Sequence, residues 1–350
     1  MDFRSDNVTG AAPEVLAALA AANAGTRASY GEDEQTARVE ARLKEIFETD
    51  LAAFFVATGT AANSLGLALL APPWGAIYCH EGAHIAVDEC GAPEFYTGGA
   101  KLVDLPGADG KLTAPQLALL LPGGKGVVHH PQPAAISLTQ ATEAGTCYRP
   151  GEIAAIAETG RRFGLKLHMD GARFANAVAF LGANPAEITW RAGVDVLTFG
   201  ASKNGALAAE AVIIFDKRLA EEFAFRRKRA GHLFSKMRFL TAQLDAYLAD
   251  GLWLKHARHA NAMARRLAEG LAAIPGVRLA HPVEANEIFV DLPEAAIRGL
   301  AADGFQFYRW LGEDKPRLRL VAAFSTREAD VAAFVDSAMR HAAAANERVA

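Results

Sequence analysis

Leu165-Lys-Leu-His-Met-Asp-Gly-Ala-Arg173 reads as a short strand of buried type that ends on an acid, Asp170, and turns through Gly171. Ligands of open α/β sheets bind outside the carboxyl ends of the strands, so this pattern delivers Asp170 to that edge. Capping of the following helix accounts for an Asp here equally well. Val194-Asp-Val-Leu-Thr-Phe-Gly-Ala-Ser-Lys-Asn-Gly205 repeats the plan, with an apolar strand ending at Phe199 and small residues around one lysine, Lys203. Small neighbours admit a bulky group close to the backbone. A lysine there can lose its water, drop its pKa and attack a carbonyl; an exposed loop lysine is the plain alternative. In Phe54-Phe-Val-Ala-Thr-Gly-Thr-Ala-Ala-Asn63 a strand runs through Thr58-Gly59-Thr60 into a helix. Free N–H groups and the positive end of the helix dipole suit a phosphate at that point, although Thr is also a routine N-cap. Neither a dinucleotide fingerprint nor a P-loop is present.

Working outward, strands are expected at 53–57, 76–80, 101–105, 126–130, 134–139, 165–170, 194–199 and 211–215, with helices at 60–70, 115–121, 150–163 and 173–181. Alternation of this kind predicts an α/β unit with a mostly parallel sheet of about seven strands flanked by helices. Residues 13–47 read as helices around a turn at 25–33, and the chain is helical from Lys217 to about Ile274. Strand and helix then alternate again at 277–280, 287–292, 293–302, 305–309, 317–321 and 327–338, as in a smaller α+β unit. The division is placed near Leu252, giving units 1–251 and 252–350.

With 350 residues, 51% of them hydrophobic, the chain can bury a large core. Its 36 basic and 40 acidic side chains leave a net charge of -4, which gives no footprint for nucleic acid or an acidic membrane. The densest basic run, Arg226-Arg227-Lys228-Arg229, is short. Cys79, Cys90 and Cys147 make neither a disulfide framework nor a metal spacing, so no metal is expected. The first seven residues lack the apolar core of a signal peptide, and the apolar stretch 65–73 is too short to cross a bilayer; a cytoplasmic location is expected.

Taken together, the three strand ends offer what pyridoxal 5′-phosphate (PLP) needs: a lysine for its aldehyde, a carboxylate for its ring nitrogen and a cradle for its phosphate. Asp170-Gly-Ala-Arg173, Phe199-Gly-Ala-Ser-Lys-Asn-Gly205 and Phe3-Arg-Ser-Asp-Asn-Val-Thr9 together resemble the low-specificity L-threonine aldolases, fold-type-I PLP enzymes related to aspartate aminotransferase. Ser29-Tyr-Gly-Glu-Asp33 and Arg317-Leu-Arg-Leu-Val321 extend the resemblance over nearly the whole chain. The resemblance implies that Lys203 carries PLP covalently, Asp170 keeps the ring nitrogen protonated, and Thr58, Gly59 and Thr60 bind the phosphate. It further implies that His84 stacks on the ring, that Arg173 meets the ring oxygen or the substrate, and that Ser5 and Arg319 fix the substrate carboxylate. Tyr30 would lie near the site, donated by a neighbouring subunit, with Lys236 and Arg238 reaching a phosphate across the same interface. Asp6 and Asn7 read otherwise as a turn or cap.

The chain departs from the family where many members carry a His: here Thr142 stands, followed by Glu143. Thr142 or Gln140 is then left to meet a substrate hydroxyl, while His129 and His130 match no family position. The expected reaction is aldol cleavage of L-threonine, L-allo-threonine and related β-hydroxy-α-amino acids to glycine and an aldehyde, with His84 as first choice of base and Glu143 as second. Other fold-type-I reactions (β-elimination, transamination, racemisation) and a catalytically silent binding protein are the rivals, because fold alone does not choose. A homodimer or homotetramer with shared active sites is implied.

Overall fold

The structure, a computed structural model, describes residues 1–346 except Leu311, Glu313 and Asp314. Seven strands form the larger sheet: β1 (Ala52–Val56), β2 (Gly75–His80), β3 (Lys101–Leu105), β4 (Gln132–Thr139), β5 (Lys166–Gly171), β6 (Val196–Gly200) and β7 (Glu210–Ile214), in the order β1-β7-β6-β5-β4-β2-β3. β7 runs antiparallel to both neighbours and the other pairings are parallel. Every residue of β5, β6 and β7 except Lys166 is buried. Side chains alternate between the faces, so Leu197 and Ile213 join one apolar cluster while Val196 and Val212 join the other. Helices cover both faces, which is why these strands are apolar on consecutive residues.

The expected strand at 126–130 is absent; the segment is a surface turn in which Val128 is 92% exposed. Gly124 and Gly126 adopt left-handed backbone conformations there. The Gln132 side chain binds the loop's own backbone, accepting from the Gly126 N–H and donating to the carbonyls of Gly124, Val127 and His130, so those groups join no ladder. Two valines were too little apolar surface to overrule three glycines.

A second sheet, β8 (Arg278–Leu279), β9 (Glu287–Asp291), β10 (Tyr308–Arg309) and β11 (Arg317–Val321), is antiparallel in the order β10-β11-β9-β8. Helices Leu252–Ala272, Glu294–Ala302 and Glu328–Asn346 accompany it, the α+β character read from the sequence. Helix Leu252–Ala272 belongs to both cores: Trp253 and Ala257 pack with the larger sheet, Met263, Leu267 and Leu271 with the smaller. The N-terminus, grouped by sequence with the larger unit, packs Phe3 into the smaller core and bonds Gln306 and Val321 through its backbone. No helix among the described residues is long and apolar enough to cross a membrane.

Phe199, the last apolar residue before the Lys203 turn, ties the sheet to its helices: its ring lies 5.7–6.2 Å from those of Phe47, Phe174, Tyr247 and Trp253. Phe199→Ala should lower stability by about 3–5 kcal/mol, seen as a fall in the urea midpoint at unchanged slope. A midpoint equal to that of the parent would show that this cluster does not anchor the sheet.

Candidate active site

The carboxyl ends of the parallel strands open on a cavity of about 380 Å³. Asp170 stands at the end of β5, Lys203 on the single turn Ser202–Asn204 after β6, and Thr58 caps helix Gly59–Leu70 after β1, accepting from the Ala61 N–H. His84 opens the short helix His84–Val87 after β2. All of these line the cavity with Gly59 and Thr60, so Lys203, Asp170, His84 and the Thr58-Gly59-Thr60 segment are brought together. β7 runs the other way and therefore brings its first residue, Glu210, to the same edge.

Close backbone approach makes this edge possible. A Cβ on Gly171 would sit 2.4 Å from the Thr198 carbonyl oxygen, and one on Gly200 would sit 2.5 Å from that of Ala172. The Lys203 turn is pinned by Asn204, whose amide donates to the Tyr247 hydroxyl and the Trp253 carbonyl, both at 2.8 Å. Burial strips water from the Lys203 amine and, with Arg173 nearby, depresses its pKa against the pull of Asp6, Asp170 and Glu287.

A hydrogen-bonded chain runs across the cavity. His84 Nδ1 lies 2.8 Å from Glu89 Oε1, the Asn63 amide donates to Glu89 at 2.9 Å and to Asp170 Oδ2 at 2.8 Å, and the Ala172 N–H donates to Asp170 Oδ1. The carboxylate can only accept from Nδ1, so neutral His84 carries its proton there and offers Nε2 as a base. The hydrogen bond to Glu89 raises the His84 pKa, burial opposing it. Glu143 accepts from the His84 backbone N–H at 2.7 Å and from the Thr139 hydroxyl at 2.9 Å; burial, with Asp170 nearby, pushes its carboxyl up to about 7.

Several expected residues lie elsewhere. Arg173 is not on the cavity wall; its guanidinium is buried in a two-pronged pair with Asp6, at 2.8 and 3.0 Å, and stands 3.5 Å from Glu287. Asp6 is thus more than a turn residue. Arg319 pairs with Glu287, donates to the Arg4 carbonyl and stacks on Trp310, so the anion demanded by a half-buried arginine is supplied within the chain. Ser5 accepts from the Asn7 N–H as a cap. Thr142 is buried, its hydroxyl engaged with Thr146 and the Asp109 carbonyl, and Gln140 bonds the backbone of Tyr148; neither lines the cavity. Tyr30 is 46% exposed, away from the cavity, and its N–H donates to the Ser235 carbonyl.

A family model described as beta-eliminating lyase matches residues 2–295. The low specificity L-threonine aldolase of Pseudomonas aeruginosa is 50% identical over 315 residues, 90% of this chain and 91% of that protein. That of a Pseudomonas species is 47% identical over 94% of both chains. The chain belongs to the low-specificity L-threonine aldolase family. A solved Leishmania major threonine aldolase superposes on it with a TM-score of 0.91 at 30% identity, covering 97% of this chain and 99% of the other. The architecture is that of fold-type-I PLP enzymes.

The cofactor of these aldolases is PLP, and the wall fits it. A Cβ on Gly59 would meet nothing within 4 Å, so the helix N-terminus faces open space. Asn63 Oδ1 and Glu89 Oε2 are buried without a partner beside Asp170. Lys203 reaches the same cavity, its pKa lowered by desolvation. No group of three His, Cys, Asp or Glu side chains suited to a metal occurs among the described residues.

Sequence reasoning missed Asn63, Glu89 and Glu210. Asn63 and Glu210 carry a readable signal, a polar side chain within an otherwise apolar helix or strand. Glu89 follows His84 by five residues across an irregular turn, and no periodicity links them. In Glu89→Gln the His84 pKa should fall and the fixed tautomer be lost. The acid limb of kcat/KM, set by the neutral imidazole, then moves to lower pH while kcat drops about 10²-fold. An unmoved acid limb would remove Glu89 from this role.

Proposed function

We propose that this chain cleaves the Cα–Cβ bond of L-threonine, L-allo-threonine and related β-hydroxy-α-amino acids, phenylserine among them, giving glycine and an aldehyde as a PLP-dependent carbon–carbon lyase. The observation that carries the reading is the half-buried Lys203, its pKa depressed, facing Asp170 and the His84–Glu89 pair in one cavity. Thr58, Gly59, Thr60 and Ser202 would hold the phosphate, Asp170 the ring nitrogen, His84 the ring face and Lys203 the aldehyde carbon. PLP bound there supplies the sink for the electron pair released when Cα–Cβ breaks.

The chain's own residues supply the rest. His84 Nε2 takes the β-hydroxyl proton, its basicity set by Glu89. Asn63 holds Glu89 and Asp170 with one amide, fixing the base relative to the carboxylate that faces the cofactor. Ser5 and Arg319 orient the substrate carboxylate, Glu287 acting as the counter-ion that substrate must share. Orientation of the breaking bond is a positioning effect worth several powers of ten.

Beta-elimination is the second reading, favoured by the matching family description. Incubation with threonine, serine, alanine and a keto acid separates the two: glycine and acetaldehyde from threonine support cleavage, whereas pyruvate from serine as the main product would favour elimination. Lys203→Ala should lose both the bound-cofactor absorbance and glycine release; a variant retaining both would sink the assignment.

We also take the protein to be a cytoplasmic homodimer or homotetramer. The Tyr30 and Ser235–Arg238 segments bond each other yet lie outside their own cavity, as expected of residues donated to a neighbour. Phe95 and Phe225, 77% and 71% exposed, flank a second cavity of about 730 Å³ that suits subunit contact. The smaller unit is taken to begin at Leu252.

A further inference from the structure

Glu210 is an acid where an anion should bind. The sheet register sets it opposite Val56 on one side and Gly200 on the other, so it stands two residues back from both Thr58 and Ser202. It lines the cavity with Thr58, Gly59, Thr60, Ser202 and Lys203, and only 6% of its surface is exposed. One carboxyl oxygen accepts the Ala201 N–H at 2.9 Å, and the Ser202 hydroxyl and N–H lie near enough to the carboxyl to favour its ionised form. Ser202 Oγ in turn accepts the Ala209 N–H at 3.2 Å.

We propose that Glu210 is a proton-controlled positioning residue of the cofactor-phosphate site: protonated, it turns the Ser202 hydroxyl toward the phosphate, and ionised, it captures that hydroxyl and repels the anion. The inference rests on the PLP reading above. Hydrogen-bond direction decides the chemistry. A protonated Glu210 donates to Ser202 Oγ, which already accepts from Ala209, so the serine's own proton is left for the cavity. An ionised Glu210 can only accept, so the Ser202 proton is drawn away from the cavity while a negative charge remains on its wall.

The surroundings support a proton held near neutrality. Burial raises the Glu210 carboxyl to about 7, opposed by hydrogen bonds from Ser202 and Ala201 and by the charge of Lys203. Lys203 faces it from the turn after β6, and the buried Tyr247 faces it from helix Arg238–Leu248. β1, β6 and helix Gly59–Leu70, which pack against β7, contain no titratable side chain. A phosphate raises the Glu210 pKa further, and by reciprocity the proton strengthens phosphate binding.

The sign follows. Binding is strongest below the Glu210 pKa and weakens as pH rises through it, by up to about tenfold per pH unit. The probe is pyridoxine 5′-phosphate, which lacks the aldehyde and so leaves Lys203 attachment out of the measurement. Its affinity for the full-length chain freed of cofactor is measured by calorimetry from pH 6 to pH 8.5, with circular dichroism checking the fold at each pH. Titration of the ligand itself cancels in the ratio of parent to variant.

The parent's Kd should rise about tenfold more than that of Glu210→Gln across this range. Glu210→Met, uncharged and of similar size, should flatten the ratio in the same way if the Gln variant folds poorly. A ratio constant within about twofold would overturn the proposal. For the parent alone, infrared difference spectra at pH 8 should show a carboxylic-acid carbonyl band appearing on binding; no band there would also overturn it. Absence of pyridoxine 5′-phosphate binding at any pH, with no coloured complex formed with PLP, would fell the cofactor reading and this inference together.

Discussion

The lowered basicity of the half-buried Lys203 amine is the constraint to which the rest of the site answers. An ammonium in that position would be costly, and the chain surrounds it with carboxylates only as far as needed to hold other charges in place. Arg173, the nearest cation, is neutralised by Asp6 and Glu287, so its positive charge still opposes protonation of Lys203 without itself being stranded. The lysine pKa is therefore set by the whole cluster: burial and Arg173 depress it, and Asp6, Asp170 and Glu287 draw it back up. Asp6 comes from the N-terminal residues and Glu287 from the smaller sheet.

That dependence joins the two units mechanically. Glu287 on β9 meets Arg173 from the larger unit and Arg319 from β11, while Asn286 donates to both Asp6 and the Ala322 carbonyl. A buried pair of this kind is worth little against an apolar substitute, yet removing one partner costs about 3–5 kcal/mol, because the other charge stays behind. The cluster thus ties the smaller sheet to the larger unit. Helix Leu252–Ala272 does the same through its two apolar halves.

The larger sheet and the converging strand ends could be read from the sequence because their signals are local: apolar runs of strand length, each ending on a residue with a job. Asp170, Lys203 and Thr58 lie within a few residues of the strands that aim them. Glu89, Glu287 and Asp6 are partners by folding, and nothing in their spacing announces it. For that reason the internal carboxylates that Arg173 and Arg319 meet could not be foreseen from the sequence. The misread strand at 126–130 failed for the opposite cause, a local apolar signal overruled by glycine geometry and one glutamine side chain.

The absence of a family histidine near Thr142 raises the question of which group takes the hydroxyl proton, and the geometry discriminates. Thr142 is buried with its oxygen saturated by Thr146, Asp109 and the amides of Ala144 and Thr146. Glu143 lies closer to the chemistry, but one of its oxygens serves the His84 N–H and the Thr139 hydroxyl, and its other oxygen is buried without a partner. With a carboxyl pushed up to about 7 by burial and by Asp170, it is partly protonated at neutral pH and fixed in place. Its hydrogen bond to the first N–H of helix His84–Val87 instead sets where the imidazole stands. His84 combines exposure to the cavity, a tautomer fixed by Glu89 and a pKa raised by that hydrogen bond. Of the three groups, His84 is the one whose side chain faces the cavity, which is why the proposed proton transfer is assigned to it.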